Sequence, residues 1–252
     1  CSCSPRTESS AEKATFVLMI EVEVFNSSSN GNCYRLISGS SQLLIEAGIK
    51  LSDIRKKTGH QLGRLDGVLV SHEHGDHAKS VMQLIDNGVA VYMSEGTKAA
   101  LGDAAKYAEV VRPDKIKNIG KWRIQPFRTQ HDAAEPLGFV IEDGEDRLLF
   151  ATDTFFLPYK FLNLTQIMVE CNYALDILDK NLLSGRVTQS QAKRLLTSHF
   201  SLHNLKSYLR DQDLSRVKVI YLMHISSVNG DQERFKKEIQ SVTGKPVKIC
   251  EA

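Results

Sequence analysis

The chain has 252 residues, 42% hydrophobic and 25% charged, enough apolar material to bury a core and too much for a disordered chain. No apolar run approaches the roughly 20 residues that a membrane-spanning helix needs, which excludes an integral membrane protein of that kind. Lysine and arginine number 32 against 30 aspartates and glutamates, a formal charge of +2, so no bulk basic excess announces nucleic-acid binding, and any such function must come from a site.

Residues 1–18 open with the polar run CSCSPRTESSAEK and lack the basic start, long apolar stretch and small-residue cleavage site of a secretory signal. They are expected to form a disordered or non-native extension, with residues 19–252 forming one domain. From Met19, Ile20, Val22, Val24 and Phe25 interleave with Glu21 and Glu23, the alternation of a half-buried strand. A turn-type cluster is predicted from Ser27 to Asn32, followed by strands over 33–37 and 43–45 around Ser38-Gly39-Ser40. Residues 52–58 are expected to form a short helix capped by Ser52, and Gly67 to Val70 an apolar strand. A helix is predicted over 78–87, a strand over 89–93, a helical turn over 97–101, and strands over 122–127, 138–141 and 147–151. Further strands are expected over 167–170, 217–223 and 247–250, with helices over 174–178, 188–197, 202–210 and 235–242. Each sheet has one apolar face to cover, so strands and helices recurring in two similar halves predict a layered α/β/β/α sandwich.

Cys1, Cys3, Cys33, Cys171 and Cys250 are too sparse for a disulfide framework and point to a reducing, cytoplasmic setting. Cys1 and Cys3 form a C-x-C pair with no further metal ligands nearby.

The chemistry concentrates in Ser71-His72-Glu73-His74-Gly75-Asp76-His77, an H-x-H-x-D-H run between an apolar strand and a helix. On an extended segment residues two apart point the same way, so His72 and His74 can grip one metal, while a turn at Gly75 lets Asp76 and His77 face a second. Imidazole and carboxylate ligands suit zinc, with manganese or iron as alternatives. His131, Asp153 and His224 each follow an apolar run at a later strand end and are expected to converge on the same sheet edge. A surface turn that happens to be rich in histidine is the blander alternative. Three histidines within six residues at a strand end argue against it.

The chain resembles the metallo-β-lactamase superfamily of dinuclear metallohydrolases, most closely its YycJ/WalJ-type exonuclease branch and phage-encoded relatives. The resemblance extends from Met19 to Cys250 through the serine-rich loop Ser27 to Tyr34, the H-x-H-x-D-H run, Thr129-Gln130-His131-Asp132 and Ala151-Thr152-Asp153-Thr154. It continues through Glu170-Cys171-Asn172-Tyr173, Ser198-His199-Phe200-Ser201 and His224-Ile225-Ser226-Ser227-Val228-Asn229. It implies a four-layer αββα fold with two divalent ions, one held by His72, His74 and His131, the other by Asp76, His77 and His224, and both bridged by Asp153. It also implies an activated water as nucleophile, with Asp76 orienting it. Glu46 departs from the pattern, standing where many members carry aspartate.

His199 is a second catalytic candidate, because an imidazole near a phosphodiester can contact a phosphate oxygen or protonate the leaving oxygen. Ser28, Asn32, Ser201 and Asn204 offer hydroxyl and amide groups for substrate binding. Lys193, Arg194, Arg186 and Lys206 form either a positive rim near His199 or an ordinary solvated helix face. The polar elements around His199 and Ser226 favour a phosphodiester in nucleic acid or a nucleotide over an apolar substrate. Hydrolysis of a cyclic nucleotide, thioester or lactone, and a noncatalytic zinc-binding module, stay open. A homodimer is compatible with the sequence, and no membrane partner is expected.

Overall fold

The computed structural model of the chain describes residues 19–251; the expected N-terminal extension and the Cys1/Cys3 pair lie outside the described residues. The first sheet begins as an antiparallel meander of β1 (Glu21–Ser28), β2 (Gly31–Ser38) and β3 (Ser41–Ile45). Strand pairing continues to Ser28 and resumes at Gly31, so of the turn-type cluster predicted there only Ser29 and Asn30 turn. Three parallel strands extend the sheet, β4 (Gly67–Leu69), β5 (Val91–Met93) and β6 (Glu109–Val110). Their crossovers carry α1 (Leu51–Lys57), α2 (Gly75–Ala78), α3 (Val81–Asp86) and α4 (Glu95–Leu101).

The second sheet repeats the plan. Antiparallel β7 (Lys117–Ile119), β8 (Trp122–Arg128), β9 (Leu137–Asp143) and β10 (Asp146–Ala151) lead into parallel β11 (Gln166–Glu170), β12 (Val219–Met223) and β13 (Val247–Ile249). Helices α5 (Leu175–Leu183), α6 (Gln189–Ser198) and α7 (Leu202–Arg210) connect β11 to β12, and α8 (Gln232–Thr243) connects β12 to β13.

Side-chain alternation sets the layers. On β10, Leu148 and Phe150 pack between the sheets with Tyr34, Leu36 and Trp122, whereas Leu149 and Ala151 pack outward with Leu205, Leu209 and Phe235 of α7 and α8. On the other side, Leu44 and Val68 pack outward with Ile54, Val81 and Leu84 of α1 and α3. Each such fully buried side chain contributes roughly 1.5–3 kcal/mol. The result is the expected αββα order, an α/β fold of two mixed sheets covered by helices.

Two local expectations are corrected. The helix predicted over 78–87 is broken at Ser80, which is buried, donates its N–H to Ala47 O (2.9 Å) and its hydroxyl to Ile49 O (2.5 Å). That attachment to the first sheet takes the place of a continuous helical turn. Helix α1 starts at Leu51 with no side-chain cap, so Ser52 lies inside it rather than capping it. The two- and three-residue strands β6 and β7 are too short for an alternation to be legible in sequence. No helix among the described residues is long and apolar enough to cross a membrane.

Candidate metal centre

The H-x-H-x-D-H run leaves the sheet just beyond β4, and its second half winds into α2, which puts Asp76 and His77 in the first helical turn. The loop after β3 presses against it: Ala47 N donates to His77 O (2.7 Å), and a Cβ on Gly48 would lie 1.7 Å from the carbonyl oxygen of Asp76. Only glycine permits that approach. His131 follows β8, Asp153 follows β10 and His224 follows β12, and the structure brings all three to the run.

His74 Nδ1 lies 3.1 Å from His72 Nε2 and 3.2 Å from His131 Nε2. Ligands about 2.0–2.1 Å from a tetrahedral ion lie roughly 3.3–3.4 Å from each other, so these three nitrogens have the separation of a shared cation. A second group stands beside them. Asp76 Oδ2 is 3.4 Å from His77 Nε2 and 3.6 Å from His224 Nε2. Asp153 Oδ2 lies 3.5 Å from both His77 Nε2 and His131 Nε2, which places one carboxylate oxygen between the two groups. His224 Nε2 is buried and makes no hydrogen bond among the described residues, a donor set that fits divalent ions.

The outer nitrogens of three rings are held from behind. His72 Nδ1 meets Ser71 Oγ (2.8 Å), His131 Nδ1 meets Ser198 O (3.0 Å) and His224 Nδ1 meets Glu170 Oε1 (2.9 Å), while His77 Nδ1 faces Glu46 Oε1 at 3.5 Å with no hydrogen bond between them. Such partners fix the tautomer and turn the remaining nitrogen toward the centre. Glu46 thus stands behind His77, while its other oxygen accepts from Ser71 N (3.3 Å).

Burial alone would raise the carboxyl of Asp153, but the imidazoles of His224 and His77 more than offset this and hold it well below the usual carboxylate range. Burial, with His77 beside it, holds His72 well below 6.5. Burial would also lower His224, yet the carboxylates of Asp153, Asp76 and Glu170 together outweigh it and lift the imidazole well above 6.5. Three buried residues of the site carry left-handed backbone: Glu46 (φ 65°), Asp153 (φ 44°) and His224 (φ 53°). Each follows the end of a strand, and the reversal there aims the side chain across the sheet edge at a cost of about 1–3 kcal/mol apiece.

The residues expected to touch substrate divide. His199 lies at the centre, its ring 5.3 Å from that of His131 and 5.5 Å from that of His224. Asn32 is fully buried with Nδ2 3.2 Å from His77 Nε2, so it packs inside the centre rather than facing outward. Ser28 serves its own hairpin, accepting from Asn26 Nδ2 and Asn30 N. Its neighbour Ser27 is the one that reaches the site, accepting from His224 N (3.0 Å). Ser201 is buried and caps α7, whereas Asn204 is half-buried and donates to Phe155 O (3.4 Å). His60 and His203 are exposed and away from the cluster.

Residues 42–225 match the beta-lactamase superfamily domain. The chain belongs to that superfamily. Exodeoxyribonuclease WalJ of Streptococcus pneumoniae is 26% identical over 229 residues, 83% of each chain. Exodeoxyribonuclease YycJ of Bacillus anthracis is 24% identical over 238 residues, 88% of this chain and 89% of the relative. Among solved structures, the metallo-beta-lactamase fold protein YhfI of Bacillus subtilis superposes with a TM-score of 0.68 at 17% identity, covering 92% of this chain and 95% of the other, which establishes the fold. The chain is accordingly a hydrolase of a superfamily whose members typically use two metal ions.

In this superfamily member the residue that sequence reasoning passed over is Glu170. It is fully buried; Oε1 meets His199 Nδ1 (2.6 Å) and His224 Nδ1, and Oε2 accepts from Thr154 N (3.2 Å) and Phe200 N (3.1 Å). The available signal was an acidic residue ending the otherwise apolar run Ile167 to Val169, since a charge is seldom buried on a strand without a partner.

Proposed function

We propose that the chain is a dinuclear-metal-dependent phosphodiesterase acting on nucleic acid in the manner of a DNA exonuclease. One divalent ion, zinc by the imidazole-rich donor set, is assigned to His72, His74 and His131, the other to Asp76, His77 and His224, with Asp153 shared. When bound, such a pair activates water and neutralises charge on the phosphate oxygens. The chain's own groups do the rest. Asp76, at one quarter side-chain exposure the most open carboxylate of the set, orients the attacking water. His199, gripped at Nδ1 by Glu170, presents Nε2 to the leaving oxygen as proton donor. Burial would lower that imidazole, but the carboxylates of Glu170 and, behind it, Asp153 more than compensate and raise it from its ordinary value.

The observation that carries this reading is the convergence of all seven donors, with a pocket of about 270 Å3 opening beside His199, where Arg186, Gln191, Arg194, Ser226 and Asn229 stand among apolar Val187, Leu195 and Val228. Two guanidiniums and amide and hydroxyl donors suit a phosphate. The names of the Streptococcus and Bacillus relatives support DNA as the polymer. Cys33, Cys171 and Cys250 are buried free thiols, in keeping with a reducing cytoplasm.

A panel of double- and single-stranded DNA, RNA, a cyclic nucleotide, a thioester and a β-lactam, offered to zinc- and manganese-loaded protein, tests it. A DNA strand is expected to be cleaved fastest, and Asp76→Ala to abolish turnover while the circular dichroism spectrum is kept. Faster turnover of the thioester or lactam overturns the assignment.

A further inference from the structure

A second cleft, about 440 Å3, lies between the segment that follows Asp153 and helix α7. Its volume falls in the roughly 300–1,000 Å3 range of small-molecule sites. Its walls are mainly apolar, with the rings of Phe155, Phe156 and Tyr159 on the segment and of Phe200 and Tyr208 on the α7 side, and with Lys160 and Asp211 among its polar residues. Phe156 is 54% exposed, which leaves a phenyl ring of the cleft wall open to solvent. The segment is fastened to α7 and the turn after it, because Asn204 Nδ2 donates to Phe155 O (3.4 Å), Gln212 Nε2 donates to Tyr159 O (3.3 Å) and Gln212 Oε1 accepts from Phe161 N (3.2 Å). The cleft is therefore preformed.

Tyr208 adds a polar feature that packing does not explain. It is 8% exposed, and its buried hydroxyl has no hydrogen-bond partner among the described residues. A ring that only filled the core would be better served by phenylalanine.

The cleft also begins within a short stretch of chain from the metal centre. Phe155 stands two residues past Asp153, at most about 7.6 Å of chain. Its N–H donates to Gln130 O (3.3 Å), the residue beside His131.

A flat ligand with a polar edge, attached to a phosphate one unit away, is a nucleotide base. We propose that this cleft is a nucleobase subsite, which takes one unpaired base of a single strand whose scissile phosphate sits at the metal centre, stacked on Phe156 and hydrogen-bonded at its edge by Tyr208. The proposal rests on the phosphodiesterase reading above and narrows it to a substrate with a single-stranded or frayed end.

The test compares fluorescein-labelled oligothymidine with an abasic oligonucleotide of equal length, by fluorescence anisotropy and by cleavage rate, on the metal-loaded full chain and its Phe156→Ala and Tyr208→Phe variants. Wild-type protein is expected to bind the base-bearing strand about tenfold more tightly, the scale of one base–aromatic stack. Phe156→Ala should remove most of that preference, raising KM for oligothymidine with kcat within twofold and leaving the abasic strand unaffected. Tyr208→Phe should reduce the preference with the fold intact. Equal binding of both strands by wild type, or an equal loss on both strands in Phe156→Ala, overturns the subsite. Base-selective binding without cleavage of either strand supports the cleft and refutes the phosphodiesterase reading.

Discussion

One carboxylate oxygen of Glu170 meets the Nδ1 atoms of two histidines, His199 at 2.6 Å and His224 at 2.9 Å. The ring assigned to a metal and the ring proposed as proton donor thereby share one buried anchor, each bound to it through Nδ1. Glu170→Gln keeps the shape but removes the charge and places an amide N–H2 in the same pocket. Loss of such a partner typically costs 10–100-fold in metal affinity or activity. The variant is expected to lose about that much in turnover and to retain less metal by elemental analysis, with its circular dichroism spectrum unchanged. Wild-type metal content and rate would show that Glu170 is only a core contact.

The stability of the metal-free protein is expected to peak near pH 6.5. His77 and His224 are raised above 6.5 against the pull of burial, chiefly by the Asp153 carboxylate, so the stability they contribute is complete below 6.5 and is lost as pH rises through their folded values. His72 and His131 are lowered, chiefly by burial, so folding is penalised as pH falls below 6.5, where their unfolded counterparts take up protons. Cations compete with protons for the same nitrogens, so loaded protein should lose less on the alkaline side. Melting temperatures at pH 5, 6.5 and 8.5, with chelator and with zinc, decide the matter. A chelated protein that grows steadily more stable up to pH 8.5 contradicts it.

Gly48→Ala is expected to destabilise the chain by at least about 1–3 kcal/mol, because the new methyl would fall on the Asp76 carbonyl rather than on a yielding side chain. The displaced backbone carries Asp76 and His77, so metal affinity should drop with stability. Denaturant titration and metal content measured on the same preparation test the coupling. Gly59→Ala meets no atom within 4 Å but sits at φ 61°, and should leave metal binding unchanged whatever it does to stability.

Cys33, Cys171 and Cys250 should resist alkylation in the native state. Burial pushes the Cys250 thiol up to about 12 and raises Cys33 and Cys171 well above 9. Mass spectrometry after iodoacetamide at pH 8 is expected to find these three unmodified in folded protein and modified in urea. Rapid native labelling of any of them would mean that the sheets open locally.

The H-x-H-x-D-H run was legible as a candidate because its possible ligands are dense and sit where an apolar strand stops. The approach of His131, Asp153 and His224 to that run was legible by the same rule, each trailing a buried strand. The layers followed from alternation on long strands such as β8 to β10, and the exact match of α7 to residues 202–210 from the capping Ser201 and its apolar face. Glu170 and Asn32 were obscured because their work is done by contacts with residues far along the chain, Asn32 with His77 and Glu170 with His199 and His224. Ser27 and Ser28 are chemically identical neighbours, and strand pleat alone decides that the first reaches His224 while the second closes a hairpin.

The left-handed turns at Asp153 and His224 set backbone strain against the pairing of buried charges. Glycine at either place would relax the backbone but strip one member from the buried Asp153–His224 pair and leave the other without its counter-charge. Asp153→Gly or His224→Gly would trade about 1–3 kcal/mol of backbone strain for a loss of about 3–5 kcal/mol, so the fold itself holds both side chains in place whether or not a cation arrives.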